Sequence, residues 1–102
     1  MHWVEICNDG GYEVDGEKYR LLADDIQPLE VEEFERAKDD SWVKYTHPFC
    51  LETEHGEFHW DVDLIEYVEP AGATLLGFTM TRLPPDVVLT EEISFRLHDG
   101  WP

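Results

Sequence analysis

Apolar and polar side chains alternate almost without a break between residues 49 and 64. With a turn placed at His55-Gly56, one parity holds Phe49, Leu51, Thr53, Phe58, Trp60, Val62 and Leu64. The other holds Cys50, Glu52, Glu54, Glu57, His59, Asp61 and Asp63. A period of two is the mark of a half-buried strand, and glycine supplies the positive φ that a two-residue turn needs. The pattern predicts a β-hairpin over 49–64 that pairs Thr53 with Phe58, Leu51 with Trp60 and Phe49 with Val62. His59 then lies opposite Glu52. A one-residue slip would bury the carboxylates, so the two faces are well specified.

A second hairpin is predicted over 11–21, turning on Asp15-Gly16, a strong short-range turn signal. It sets Tyr12 against Tyr19 and Glu13 against Lys18, a favourable pair of opposite charges. Residues 2–7 alternate as a further strand. Leu76, Phe78 and Met80 predict another, ended by Pro84-Pro85. Val87 and Leu89, then Ile93, Phe95 and Leu97, extend the alternation, although Thr90 is also a possible helix cap. Between the hairpins, Pro28 to Asp40 reads as the one good helix. Pro suits a first turn, glutamates crowd the N-terminal half, and Arg36 and Lys38 fall near the end, as the macrodipole favours. The expectation is an α+β fold: a mostly antiparallel β-sheet of about five to six strands, with hairpins at 11–21 and 49–64 and one helix near 28–40.

The chain has 102 residues, which suits a single domain over 1–102; a domain of this size buries roughly 60–65% of its unfolded surface. Charge changes the picture more than size does. There are 24 acids against 7 bases, a net of −17. Residues 1–40 carry −9, residues 41–70 carry −6 and residues 71–102 only −2. Direct binding to nucleic acid or to an anionic membrane is excluded, because both need clustered Lys or Arg. Disorder is also excluded, since 42% of residues are hydrophobic and four are Trp. There is no basic, apolar leader and no apolar run approaching the ~18 residues of a spanning helix, so a soluble cytoplasmic protein is expected. Cys7 and Cys50 are expected as reduced thiols.

Candidate chemistry is sparse. Cys50 falls near His47 and His59 in the hairpin, but a working thiolate needs cationic neighbours, and Glu52, Glu54, Asp61 and Asp63 surround it instead. The residues best suited to a divalent cation are His59, Glu52 and Asp61, with His55 at the turn. Their spacing matches no structural zinc pattern, and a simple His–Glu cross-strand pair accounts for them equally well. No catalytic residue, metal or cofactor is therefore predicted. Asn8-Asp9-Gly10-Gly11 lacks the Lys and helix of a phosphate loop and reads as a plain turn.

The acidic array remains. Carboxylates at alternate strand positions stand about 6.6–6.8 Å apart, of the same order as phosphates along one nucleic-acid strand. In size, acidity and lack of catalytic motifs the chain is similar to small phage-encoded inhibitors of nucleic-acid machinery, such as anti-CRISPR and anti-restriction proteins. It is similar in the same way to bacterial immunity proteins that neutralise basic nuclease toxins. The likeness is one of composition, so it transfers no site residues. It implies a non-enzymatic inhibitor that occludes the groove of a basic nucleic-acid-binding protein or nuclease complex. The contacts would come from Glu30, Glu32, Glu33, Glu35, Asp39 and Asp40 on the helix, and from Glu52, Glu54, Glu57, Asp61 and Asp63 on the hairpin. An immunity protein for a cognate nuclease, and an acidic halophilic or metal-binding housekeeping domain, are the competing readings. Oligomeric state is left open between monomer and dimer.

Overall fold

A computed structural model of the protein describes residues 2–7 and 9–99. Ten strands run in the order β1 (His2–Ile6), β2 (Gly10–Val14), β3 (Glu17–Leu21), β4 (Gln27–Pro28), β5 (Glu32–Arg36), β6 (Trp42–Thr53), β7 (Gly56–Tyr67), β8 (Gly72–Arg82), β9 (Val87–Glu91) and β10 (Phe95–Asp99). They form three antiparallel sheets: β1–β10, β3–β2–β9, and a larger sheet in which β4 and β5 pair with one side of β6, followed by β7 and β8.

The expected α+β class is corrected to all-β. Among the described residues the only helical element is a single 3-10 turn at Ala23–Asp25. The helix expected over 28–40 is replaced by β4, β5 and a tight turn in which Asp40 takes φ 59° and Asp39 Oδ1 accepts the Ser41 N–H at 3.1 Å. The physical reason is the neighbour. A 12-residue β6 without β4 and β5 would leave a long edge of unpaired amides and carbonyls. The segment satisfies part of that edge, whereas a helix of its length with only Val31, Phe34 and Ala37 to bury is marginal.

The Asp15-Gly16 hairpin forms with the expected pairs, Tyr12 with Tyr19 and Glu13 with Lys18, and both turn residues hold positive φ. The second hairpin is longer than expected, spanning 42–67, and its register differs by two. Thr53 pairs with Gly56, so Glu54 and His55 form the loop, and the inner pairs are Leu51–Phe58, Phe49–Trp60 and His47–Val62. Glu54 and His55 keep negative φ while Gly56 takes φ 122°. Thr53 closes the turn: its hydroxyl donates to Gly56 O at 2.8 Å and accepts the His55 N–H at 3.1 Å. A shift of two conserves parity, so the apolar and acidic faces survive unchanged while every cross-strand neighbour changes. Gly10 and Gly11, expected in a plain turn, open β2; Asn8 lies outside the described residues.

The inner face of the β6–β7 ribbon meets the smaller sheets. Phe49, Leu51, Phe58, Trp60 and Val62 pack with Tyr12, Leu21, Ile26, Val87, Ile93 and Phe95 in one buried cluster. Phe58, Val62 and Leu21 are fully excluded from water, each such side chain stabilising the fold by about 1.5–3 kcal/mol. His55 ties the turn to this layer, with Nδ1 3.1 Å from the Tyr12 hydroxyl and its ring 4.5 Å from that of Tyr19. The molecule is elongated, 52 × 24 × 18 Å, because strands of 12 residues reach about 40 Å. The two outer edges of the large sheet differ: β5 carries Glu32, Glu33 and Glu35, whereas residues 72–81 of β8 carry no charge.

Candidate functional site

Directly opposed residues in an antiparallel ladder share a face. The registers therefore assign the outer face of the large sheet residue by residue. It holds Glu32 and Glu35 from β5, Lys44, Cys50 and Glu52 from β6, Glu57, His59, Asp61 and Asp63 from β7, and Arg82 from β8. Six of these are carboxylates and two are permanent cations. The two smaller sheets pack on the opposite, inner face; on the acidic face Glu32, Glu35 and Glu52 are exposed, whereas Glu57, Asp61 and Asp63 are half-buried.

The eleven residues expected to bind a partner thus fall into two groups. Glu32, Glu35, Glu52, Glu57, Asp61 and Asp63 share the outer face. Glu33 shares the inner face with Arg36, Glu30 precedes β5, Asp39 and Asp40 sit in the β5–β6 turn, and Glu54 occupies the hairpin loop. Some of the charge is already partnered. Arg36 contacts Glu33 and Asp40, and Lys44 Nζ reaches Glu35 at 2.7 Å while lying 5.1 Å over the Trp42 ring. Asp63 accepts a hydrogen bond from the Thr46 hydroxyl at 2.7 Å. Asp61 lies opposite Pro48.

The altered register also rearranges the chemistry of this face. His59 lies opposite Cys50 rather than Glu52, which faces Glu57 instead. The expected trio of His59, Glu52 and Asp61 is therefore not what the fold brings together most closely. In its place, His59 Nε2 sits 3.6 Å from Cys50 Sγ and 3.1 Å from Glu57 Oε2, and Arg82 Nη1 donates to the same carboxylate oxygen at 3.1 Å. The ligand atoms of Cys50, Glu57 and His59 all lie within 4.8 Å of one another. Sequence reasoning missed this cluster because it assumed that both loop positions lay at His55-Gly56. The available signal was Thr53, whose hydroxyl can close a Thr-Glu-His-Gly turn. Nothing local to Arg82 marks it as a neighbour, since it arrives on another strand.

Electrostatics argue against a nucleophilic role for Cys50. Burial, then Glu57 and Glu52, push its thiol above the usual range, with Arg82 opposing only in part. His47 lies on the inner face, opposite Val62, and burial holds its imidazole below its ordinary value against the pull of Glu66. Glu57 is held below the ordinary carboxylate range, first by its hydrogen bond to His59 and then by Arg82. Both Cys7 and Cys50 are free thiols, as expected.

No known protein family, curated protein or solved structure matches the chain. Function must therefore be argued from the site itself. No helix among the described residues is long and apolar enough to cross a membrane.

Proposed function

We propose that this chain is a non-enzymatic binding protein that lays its acidic sheet face against a basic, nucleic-acid-handling protein and occludes the groove where nucleic acid would bind. One observation carries the reading: Glu32, Glu35, Glu52, Glu57, Asp61 and Asp63 share one sheet face. Along β7, Asp61 and Asp63 stand about 6.6–6.8 Å apart, the rise of two strand residues. Regular strands hold these charges in fixed positions, so a partner's Lys and Arg residues meet an ordered array. Such an array attracts a basic surface over long range and produces association that weakens with salt. Glu30, Glu54, Asp39 and Asp40 extend the negative field at the β5 edge and at the hairpin tip.

The chain's non-enzymatic character is inferred from Cys50 and His59 on the same face. Burial, Glu57 and Glu52 push the Cys50 thiol above its usual range, and the His59 imidazole contacts a carboxylate and a thiol at the sheet surface. Occlusion needs none of these groups to react.

The test immobilises the full chain and retains proteins from a cell extract at low salt. The retained proteins are released at high salt and challenged for duplex DNA or RNA binding in the presence of added chain. A retained basic protein should lose its nucleic acid as the chain is added. A variant with Glu52→Gln, Glu54→Gln, Asp61→Asn and Asp63→Asn should fold, by circular dichroism, yet fail to displace it. Displacement that survives these four substitutions, or retained proteins that keep their nucleic acid, would overturn the proposal.

A further inference from the structure

We propose that Cys50, His59 and Glu57 form a site for a zinc-class divalent cation, clipping β6 to β7 on the outer face of the large sheet. Zinc coordination fixes the spacing of its donors. Zinc ligand distances of about 2.3 Å to sulfur, 2.0–2.1 Å to nitrogen and 2.0–2.2 Å to oxygen, at tetrahedral angles, require edges of about 3.5 Å for S···N and about 3.4 Å for N···O. The observed separations are 3.6 Å for Cys50 Sγ to His59 Nε2 and 3.1 Å for His59 Nε2 to Glu57 Oε2. Two of the three edges already stand near the spacing that such an ion imposes, and the third pair, Cys50 Sγ and the Glu57 carboxylate, lies within 4.8 Å.

The protons of the cluster also point to a cation. One ring nitrogen, His59 Nε2, faces both a thiol sulfur and a carboxylate oxygen. If Nε2 carries its proton, it donates to Glu57 and cannot accept from the thiol. If it does not, it accepts from the thiol and presents a lone pair to the carboxylate. A single cation among the three satisfies all of them together. Charge balance agrees: on binding, Cys50 releases its thiol proton to solvent, and the resulting thiolate and Glu57 neutralise a divalent ion, while Arg82, donating to Glu57 Oε2 at 3.1 Å, is balanced by Glu52 opposite Glu57. A thiolate–imidazole–carboxylate set selects zinc over calcium or magnesium, which prefer oxygen alone. The side chains of His59 and Glu57 are 26% and 41% exposed, so solvent can reach the cluster and supply the fourth ligand.

Cation binding needs no second protein, although it engages Glu57, one of the six outer-face carboxylates. Its test titrates the full, reduced chain with Co²⁺ and then with Zn²⁺. One equivalent of Co²⁺ should produce a thiolate-to-cobalt charge-transfer absorption, and Zn²⁺ should remove it. Zn²⁺ should raise Tm. Cys50→Ser should abolish the absorption, and His59→Gln should weaken Zn²⁺ binding by more than the roughly 10–100-fold that loss of a merely supporting partner costs. Cys7→Ser should change neither readout, and circular dichroism verifies that each variant is folded. The proposal is overturned if no saturable cobalt–thiolate absorption appears, if that absorption depends on Cys7, or if Zn²⁺ binds the Cys50→Ser chain as tightly as the native one. The last result would mark ordinary attraction of a cation to surface carboxylates.

Discussion

The two faces of the β6–β7 ribbon come from the same two 12-residue strands, yet they differ in every physical respect. The inner face presents Phe49, Leu51, Phe58, Trp60 and Val62 to a dry core, and its residues are chosen by volume. The outer face sets Glu52 against Glu57 and places Asp61 and Asp63 in line. Like charges directly opposite on a ladder are in fact unfavourable. The difference shows how a strand period of two lets one hairpin carry an apolar core on one side and a charged surface on the other.

The largest effect should come from the inner face. Phe58→Ala removes a fully buried ring and is expected to cost about 3–5 kcal/mol in chemical denaturation. A neighbour on the other face, Asp61→Asn, should stay within about 0.5 kcal/mol. Equal losses at the two positions would end the distinction between the faces. Next in size is the turn that joins the strands. Gly56 has φ 122°, and a Cβ there would meet Pro84 Cβ at 3.0 Å, so Gly56→Ala should cost about 1–3 kcal/mol.

A smaller effect of opposite sign would sharpen the comparison. Glu52→Gln removes one of two opposed carboxylates and should stabilise the fold by about 0.2–1 kcal/mol, read as a rise in Tm at low salt that shrinks at high salt. A loss instead would mean that Glu52 is held for structure.

The smallest effect is in pH. The folded protein holds His47 below its ordinary 6.5, so the unfolded chain binds the extra proton first. The stability this gives is present above pH 6.5 and is lost as pH falls below it. Glu57, also held below its ordinary 4.5, acts only lower: its contribution is present above that value and fades as pH drops through the folded one. His47→Gln should flatten the decline in Tm just below pH 6.5 and leave the decline below pH 4.5 unchanged.

How much of this was legible in the chain depended on what decided each element. Asp15-Gly16 sits where both residues can take positive φ, so a local signal fixed the turn and the pairs together. Period-two alternation found the strands now seen as β1, β8, β9 and β10, and it found both faces of the long hairpin. It is blind to a shift of two, so Thr53 and Gly56, not the pattern, decided which residues meet. That shift carried Cys50 to His59 and took Glu52 away. Residues 28–40 misled because their charges are ordered as a helix would order them, while the open edge of β6 offered a stronger interaction than any local preference. The carboxylates of the outer face were legible as a set. Their common surface with Glu32 and Glu35 was not, because it depends on β5 being a strand.

The unlike edges of the large sheet bear on how the molecule behaves in a crowd. Exposed strand edges can recruit further strands, and a sheet open at both ends can grow indefinitely. Here Glu32, Glu33 and Glu35 guard one end, while the ten residues before Arg82 leave the other end neutral. Growth through such edges needs two reactive ends, as a polymer needs a bifunctional monomer. With carboxylates crowding the β5 end, edge-to-edge addition through the large sheet is directed to its β8 end, where it stops at a pair.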